Sequence, residues 1–253
     1  MRWLSAIFLL ACALPAAAQE EVVSGLSQDR ISITANFEGS DLLVYGAVKR
    51  EEPIPDTGLL QVIITVEGPS GPIIVRRKSR QFGIWVNTSS VEVDDAPSFY
   101  AVAATAPLEY VLSQTEDLRH KISVPQKIRS VGAPQDVMDS PAFTDALIRI
   151  RQREGLYASA ESGTHLKEQT LFSATFDLPA NLVEGNYTTR IYLLRNREVI
   201  AQSQSAIYVR KVGIERWLYT LARDHPALYG ALALFLAGLA GWAASEAFRA
   251  LRR

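Results

Sequence analysis

The densest charge in this 253-residue chain is the run Arg76-Arg77-Lys78-Ser79-Arg80. Cations at this density can neutralise a bound anion or a lipid headgroup, and they can equally form the solvated face of a strand. The other chemistry-bearing residues are dispersed. His120, His165 and His225 are too far apart in sequence to suggest a local ligand set, and no His-Glu-x-x-His occurs. Asp94 and Asp95 are adjacent, so in a strand or turn their carboxylates diverge instead of sharing one reacting group. Neither G-x-S-x-G nor a phosphate-cradling P-loop is present, and the serines have no evident base nearby. The expectation is a non-enzymatic protein without cofactor or metal. The alternative is capture of a small anion by Arg76, Arg77, Lys78 and Arg80, or by Arg149, Arg151 and Arg153 further along.

Two apolar segments set the topology that would position these groups. Arg2 precedes an eleven-residue apolar stretch, Leu4 to Leu14, and Pro15 breaks it ahead of Ala16-Ala17-Ala18. That is the layout of an export signal, too short for the ~20 residues a span needs. Residues 1–18 are read as a signal peptide cleaved after Ala18. The competing reading takes Leu9-Leu10-Ala11-Cys12 as a lipoprotein box with Cys12 lipidated. Cys12 is the chain's one cysteine, so cleavage after Ala18 leaves a mature protein without thiol chemistry, disulfide or Cys-ligated metal, and stability must come from a packed core.

At the other end, His225 to Ser245 is a 21-residue stretch without a formal charge, long enough as a helix to cross ~30 Å of hydrocarbon. Tyr229 and Trp242 lie near its ends, as interfacial aromatics do. Arg249, Arg252 and Arg253 follow it, but Arg210, Lys211, Arg216 and Arg223 precede it, so flanking charge does not orient the helix and the export signal must. Ala233, Ala237, Gly241 and Ser245 recur every four residues, a face on which another helix can approach closely. The expected layout is a periplasmic domain at 19–212, a juxtamembrane segment at 213–224, a transmembrane helix at 225–245 and a cytoplasmic tail at 246–253, held in a bacterial inner membrane.

The domain between them is mildly acidic: residues 19–212 hold 20 Lys plus Arg and 24 Asp plus Glu, a net charge of 20 − 24 = −4. That balance is a poor one for a nucleic-acid binder. Ile31, Ile33, Ala35 and Phe37 alternate with polar neighbours, Leu42 to Val48 follows a Glu38-Gly39-Ser40-Asp41 turn, and Leu59 to Val66 is nearly continuous, as a strand covered on both faces is. Ile73 to Lys78 and Phe82 to Val86 continue the sheet. Leu171 to Phe176, Tyr187 to Leu194 and Val199 to Val209 resume it, with Arg195-Asn196-Arg197-Glu198 as a hairpin loop. The expectation is mainly β, an immunoglobulin-like antiparallel sandwich. Gly185-Asn186-Tyr187 resembles a tyrosine corner, and Tyr187 and Trp85 are expected to be core aromatics. From 107 to 155 the rhythm turns helical. Leu108, Val111, Leu112, Leu118 and Ile122 share one helical spacing, and Phe143, Leu147 and Ile150 share another behind Ser140-Pro141, ending at Gly155. Two inserted helices are expected there.

The order of these segments along nearly the whole chain resembles the alphaproteobacterial transmembrane protein family Alph_Pro_TM. The features that carry it are the export signal, Phe82-Gly83-Ile84-Trp85-Val86-Asn87, the Ser140-Pro141 helix, Glu184-Gly185-Asn186-Tyr187, Val209-Arg210-Lys211-Val212-Gly213 and the single C-terminal span. The family is named for its location, so the resemblance implies a membrane protein and no catalytic residues. It also implies, as a partner, a transporter of the sulfite or organosulfonate exporter type. The functional expectation is an accessory or interaction protein for a membrane partner.

Overall fold

The computed structural model describes residues 20–251 except 35, 52, 55–57, 129–138 and 161. The proposed signal with Cys12 and Ala18, the alternating Ala35, and Arg252 and Arg253 of the tail lie outside the described residues. Strands β1 (Glu21–Leu26), β3 (Gly39–Lys49), β10 (Leu171–Pro179) and β9 (Thr164–Lys167) form a four-stranded antiparallel sheet in the order β1-β3-β10-β9. A second sheet has the order β2-β12-β11-β4-β7-β8, built from β2 (Arg30–Ile33), β12 (Glu198–Lys211), β11 (Gly185–Arg195), β4 (Gln61–Glu67), β7 (Tyr100–Ala104) and β8 (Tyr157–Ala160). Its inner pairs are antiparallel, and both edge pairs, β2 with β12 and β7 with β8, are parallel. Among the described residues, the remaining strands, β5 (Ser70–Gln81) and β6 (Ile84–Pro97), pair only with each other, as a long hairpin.

Sequence pattern explains the layering. Along β10, Phe172, Ala174, Phe176 and Leu178 are buried in strict alternation, and β3 buries Leu42, Val44 and Val48 while Leu43 and Tyr45 face out. The four-stranded sheet therefore has one wet face. In the six-stranded sheet, by contrast, every residue of β4 from Val62 to Glu67 is buried, and β11 buries both Ile191 and Tyr192. One face joins the apolar core with the smaller sheet. The other is covered by the segment after β7, where the buried Tyr100 hydroxyl donates to Ile122 O at 2.8 Å and His120 sets its ring edge on Tyr192 at 5.6 Å. Close strand packing needs Gly46: a Cβ there would meet the Phe172 ring and Val23 O, each at 2.5 Å.

Among its described residues the covering segment has four helical pieces where sequence spacing suggested two: α1 (Leu108–Val111), α2 (Gln114–His120), α3 (Val124–Lys127) and α4 (Ser140–Arg153). The first expected helix breaks at Leu112, which is extended, and restarts at Ser113, whose hydroxyl accepts from Glu116 N at 3.3 Å. An N-cap of this kind satisfies an orphan amide and makes a new start cheaper than continuing. Leu118, expected on the buried stripe, is 61% exposed as a result. After β12 come α5 (Ile214–Asp224) and α6 (Pro226–Leu251), the latter running past Ser245 with an ion pair between Arg249 and Glu246 at 3.1 Å.

The domain's N-terminal end is tied down by charge. Glu20 accepts from Arg50 Nε at 2.5 Å and from Arg195 Nη2 at 2.9 Å, with its side chain 9% exposed. Burial pushes its carboxyl up, but the hydrogen bonds and charges of Arg195 and Arg50 outweigh that and hold it below the ordinary 4.5. A folded-state pKa below the unfolded one contributes stability above pH 4.5 that is lost as pH falls through the folded value. Urea midpoints measured from about pH 6 down to about pH 2.5 should fall less steeply in Glu20→Gln than in the parent. Equal slopes would remove this clamp from the acid response.

Candidate interaction site

The chemistry-capable side chains of the helix-covered face are engaged with one another. Glu67, at the end of β4, accepts from Lys127 Nζ at 2.7 Å and from Arg190 Nη1 at 2.5 Å, and Lys127 also lies over the Tyr100 ring at 5.9 Å. Burial first, with the Tyr192 and Glu67 charges adding, drives the Tyr100 phenol far above its ordinary value. Beside this cluster a cleft of about 270 Å³ is lined by Arg119, His120, Arg190, Tyr192, Gln202, Ser203 and Gln204. Its arginines are already answered from within, Arg119 by Glu116 and Arg190 by Glu67, and His120 Nε2 is 3.3 Å from the Glu116 carboxylate. Glu116 in turn accepts from Val199 N at 3.3 Å. Among the described residues no group of three His, Cys, Asp or Glu is placed to hold a metal ion.

The hairpin is exposed. The basic run lies on β5, and its register pairs Arg76 with Ser90, Arg77 with Ser89, Lys78 with Asn87 and Arg80 with Trp85. Arg77, itself exposed, is already engaged: Nη2 is 2.6 Å from Asp139 Oδ2 and the guanidinium lies 4.5 Å from the Phe143 ring centroid, which braces the hairpin on α4. Arg76, Lys78 and Arg80 are exposed. Of the α4 arginines, Arg151 reaches Glu154 at 3.4 Å.

Trp85 is a correction. Expected in the core, it is 69% exposed, with Ile84 at 65% and Phe82 fully exposed. The stretch expected as strand from Phe82 to Val86 begins with the turn itself: Phe82 and Gly83 form a two-residue loop with φ of 49° and 90°. Both central residues at positive φ define a type I′ turn, whose twist suits a hairpin. An aromatic at the first central position is costly, since a Cβ crowds the backbone there by ~1–2 kcal/mol and Asn or Asp is the usual choice. The other two-residue hairpin turn, between β11 and β12, has Asn196 at that position with φ 50°. Sequence reasoning missed the Phe82 apex, although an X-Gly pair between two strand-like runs was the available signal. Phe82→Asn is expected to raise unfolding stability by ~1 kcal/mol, and Trp85→Ala to change it by less than ~0.5 kcal/mol, as surface substitutions do. Chemical denaturation of the full chain in mild detergent measures both.

Tyr187, by contrast, is 1% exposed and its hydroxyl donates to Val183 O at 2.9 Å. Ala233, Ala237, Gly241 and Ser245 lie on α6, where Pro226–Arg249 is a candidate membrane span of 24 residues with none of its most apolar stretch buried by the rest of the chain. A helix of that length reaches ~36 Å, enough for the hydrocarbon core. α5 leads into it and presents Trp217 and Tyr219 to solvent.

Comparison with known proteins places the chain in a family. The family model described as "Putative transmembrane protein (Alph_Pro_TM)" matches residues 21–250. No curated protein matches the chain. Among solved structures, the crystal structure of Spo0M, a sporulation control protein from Bacillus subtilis, aligns at 11% identity over 80% of this chain with a TM-score of 0.28. The alignment covers 54% of that protein.

Proposed function

The chain belongs to the Alph_Pro_TM family of transmembrane proteins, and on that premise we propose that it is a membrane-anchored, non-enzymatic interaction protein. The observation that carries this reading is the bare C-terminal helix, a candidate span that the rest of the chain leaves uncovered. In this proposal the β domain lies in the periplasm after signal cleavage, α6 crosses the inner membrane once, and the short tail is cytoplasmic. Lipid and a partner helix then cover α6, with Ala233, Ala237, Gly241 and Ser245 as the face of closest approach. The proposed partner is an integral-membrane transporter of the sulfite or organosulfonate exporter type. An immunoglobulin-like assignment of the domain belongs to the same proposal, supported by the Tyr187 hydroxyl capping Val183 O, as a tyrosine corner does. Anion capture by Arg76, Arg77, Lys78 and Arg80 is the weaker reading, since Arg77 is spent on Asp139.

Purification of the full chain from its native membrane in mild detergent tests the proposal. A stoichiometric membrane protein should co-purify, and Ala237→Leu with Gly241→Leu should reduce it at least ~10-fold while the domain stays folded, because bulky side chains hold helices apart. Full co-purification after a foreign helix replaces residues 227–245 would sink docking through the span. Undiminished binding of sulfite after Arg76→Glu with Lys78→Glu would dispose of the anion alternative.

A further inference from the structure

We infer that the apex of the β5–β6 hairpin inserts into the surface of an anionic lipid bilayer: Phe82, Ile84 and Trp85 enter the interfacial layer while Arg76, Lys78 and Arg80 meet the headgroups. The inference uses the membrane anchoring of the reading above and needs no protein partner. Three observations converge on it.

The first is the apex itself. Three large apolar side chains stand exposed within four residues, and one of them occupies a positive-φ position that disfavours it. An exposed cluster kept against its local conformational cost marks a contact surface. The second is charge order along the hairpin. Glu92, opposite Ile74, and Asp94 and Asp95, between the Ile73–Val93 and Gly71–Ala96 pairs, sit toward the base, while Arg76, Lys78 and Arg80 sit toward the tip. Arg80 lies about 7 Å and Lys78 about 13 Å along the strand from Phe82, at ~3.3 Å per residue. Apolar groups buried about 5–10 Å at an interface place cations at those distances among headgroups. The same row of cations opposes a second copy adding to the β5 edge, because like charges would be brought together.

The third is position relative to the anchor. Glu67 pairs with Thr188, and Gly185 pairs with Val209 two residues before β12 ends. A Cβ on Gly185 would meet Pro69 Cγ at 2.9 Å, so the hairpin leaves the sheet at the end from which β12 runs into α5 and the span. Two strand spacings, about 10 Å, separate hairpin base from anchor strand. From Ser70 to Phe82 the strand reaches about 36–40 Å, more than the ~16 Å length of α5, so the apex can return to the bilayer that holds α6.

The test uses the full chain in lipid nanodiscs, with Cys12→Ser and a single environment-sensitive fluorophore at Phe82→Cys, or at Glu198→Cys as a control on the domain. In discs with about one-third anionic lipid, the Phe82 label should shift to the blue and be quenched at least ~2-fold more than the control by nitroxide-bearing lipids. Adding Arg76→Glu, Lys78→Glu and Arg80→Glu, or raising salt to about 0.5 M, should return it toward the control. A Phe82 label as exposed to water and as poorly quenched as the control overturns the inference. So does a blue shift in the discs that nitroxide-bearing lipids do not quench beyond the control, which assigns the apex to a protein contact such as a second copy. No partner is present in the discs, so this outcome and the co-purification outcome above are independent.

Discussion

Tyr187→Ala is expected to cost the β domain about 3–5 kcal/mol, the range for deleting a large, fully buried aromatic. The ring lies 6.1 Å from Phe99, centroid to centroid, and is packed so closely that a Cβ on Gly68 would come within 2.9 Å of it. Tyr187 lies near the start of the inner strand β11, so the void would lie between β4 and the loop that carries Val183, with neither free to collapse. Tyr187→Phe separates the two contributions. It keeps the ring and loses only the hydroxyl's bond to Val183 O, worth about 1 kcal/mol. Urea unfolding of the full chain in mild detergent, followed by β-sheet circular dichroism, reads both. A loss below ~1 kcal/mol in Tyr187→Ala would remove Tyr187 from the core.

Glu67→Ala is expected to cost about 3–5 kcal/mol for a different reason. The carboxylate, 9% exposed, lies between Lys127, 13% exposed, and Arg190, 28% exposed. Removing it leaves two poorly hydrated cations facing each other, and their repulsion and desolvation, more than the lost attraction, set the penalty. Lys127→Met placed on top of Glu67→Ala should therefore recover stability, because it removes one orphaned charge. A double-mutant cycle over Glu67 and Lys127 should give a coupling of at least ~1 kcal/mol. Strictly additive losses would show that the pair is hydrated and contributes little. Both residues link the six-stranded sheet to the helical cover, so loosening this pair should release α3 before the strands.

Local signals carried much of the architecture. The C-terminal helix was legible because membrane compatibility depends on composition over about 20 consecutive residues, which no other part of the chain can alter. Strands β3, β4, β10, β11 and β12 were legible because a half-buried strand writes its period into the sequence, and a strand covered on both faces writes a continuous apolar run. Tyr187 was legible through Gly185, two residues ahead of it. The same reasoning set Trp85 inside, since alternation reports which side chains share a face and not whether any layer covers that face. Only the tertiary structure decided that β5 and β6 leave both sheets, which turned an expected core aromatic into part of an exposed apex. Likewise Glu67 meets Lys127 across 60 residues and Arg190 across 123, and no local pattern ties a lone carboxylate to cations so distant in the chain. Periodicity is a property of neighbours along the backbone; what lies opposite a side chain is a property of the packed molecule, and that is where both the buried charge cluster and the exposed hairpin tip were settled.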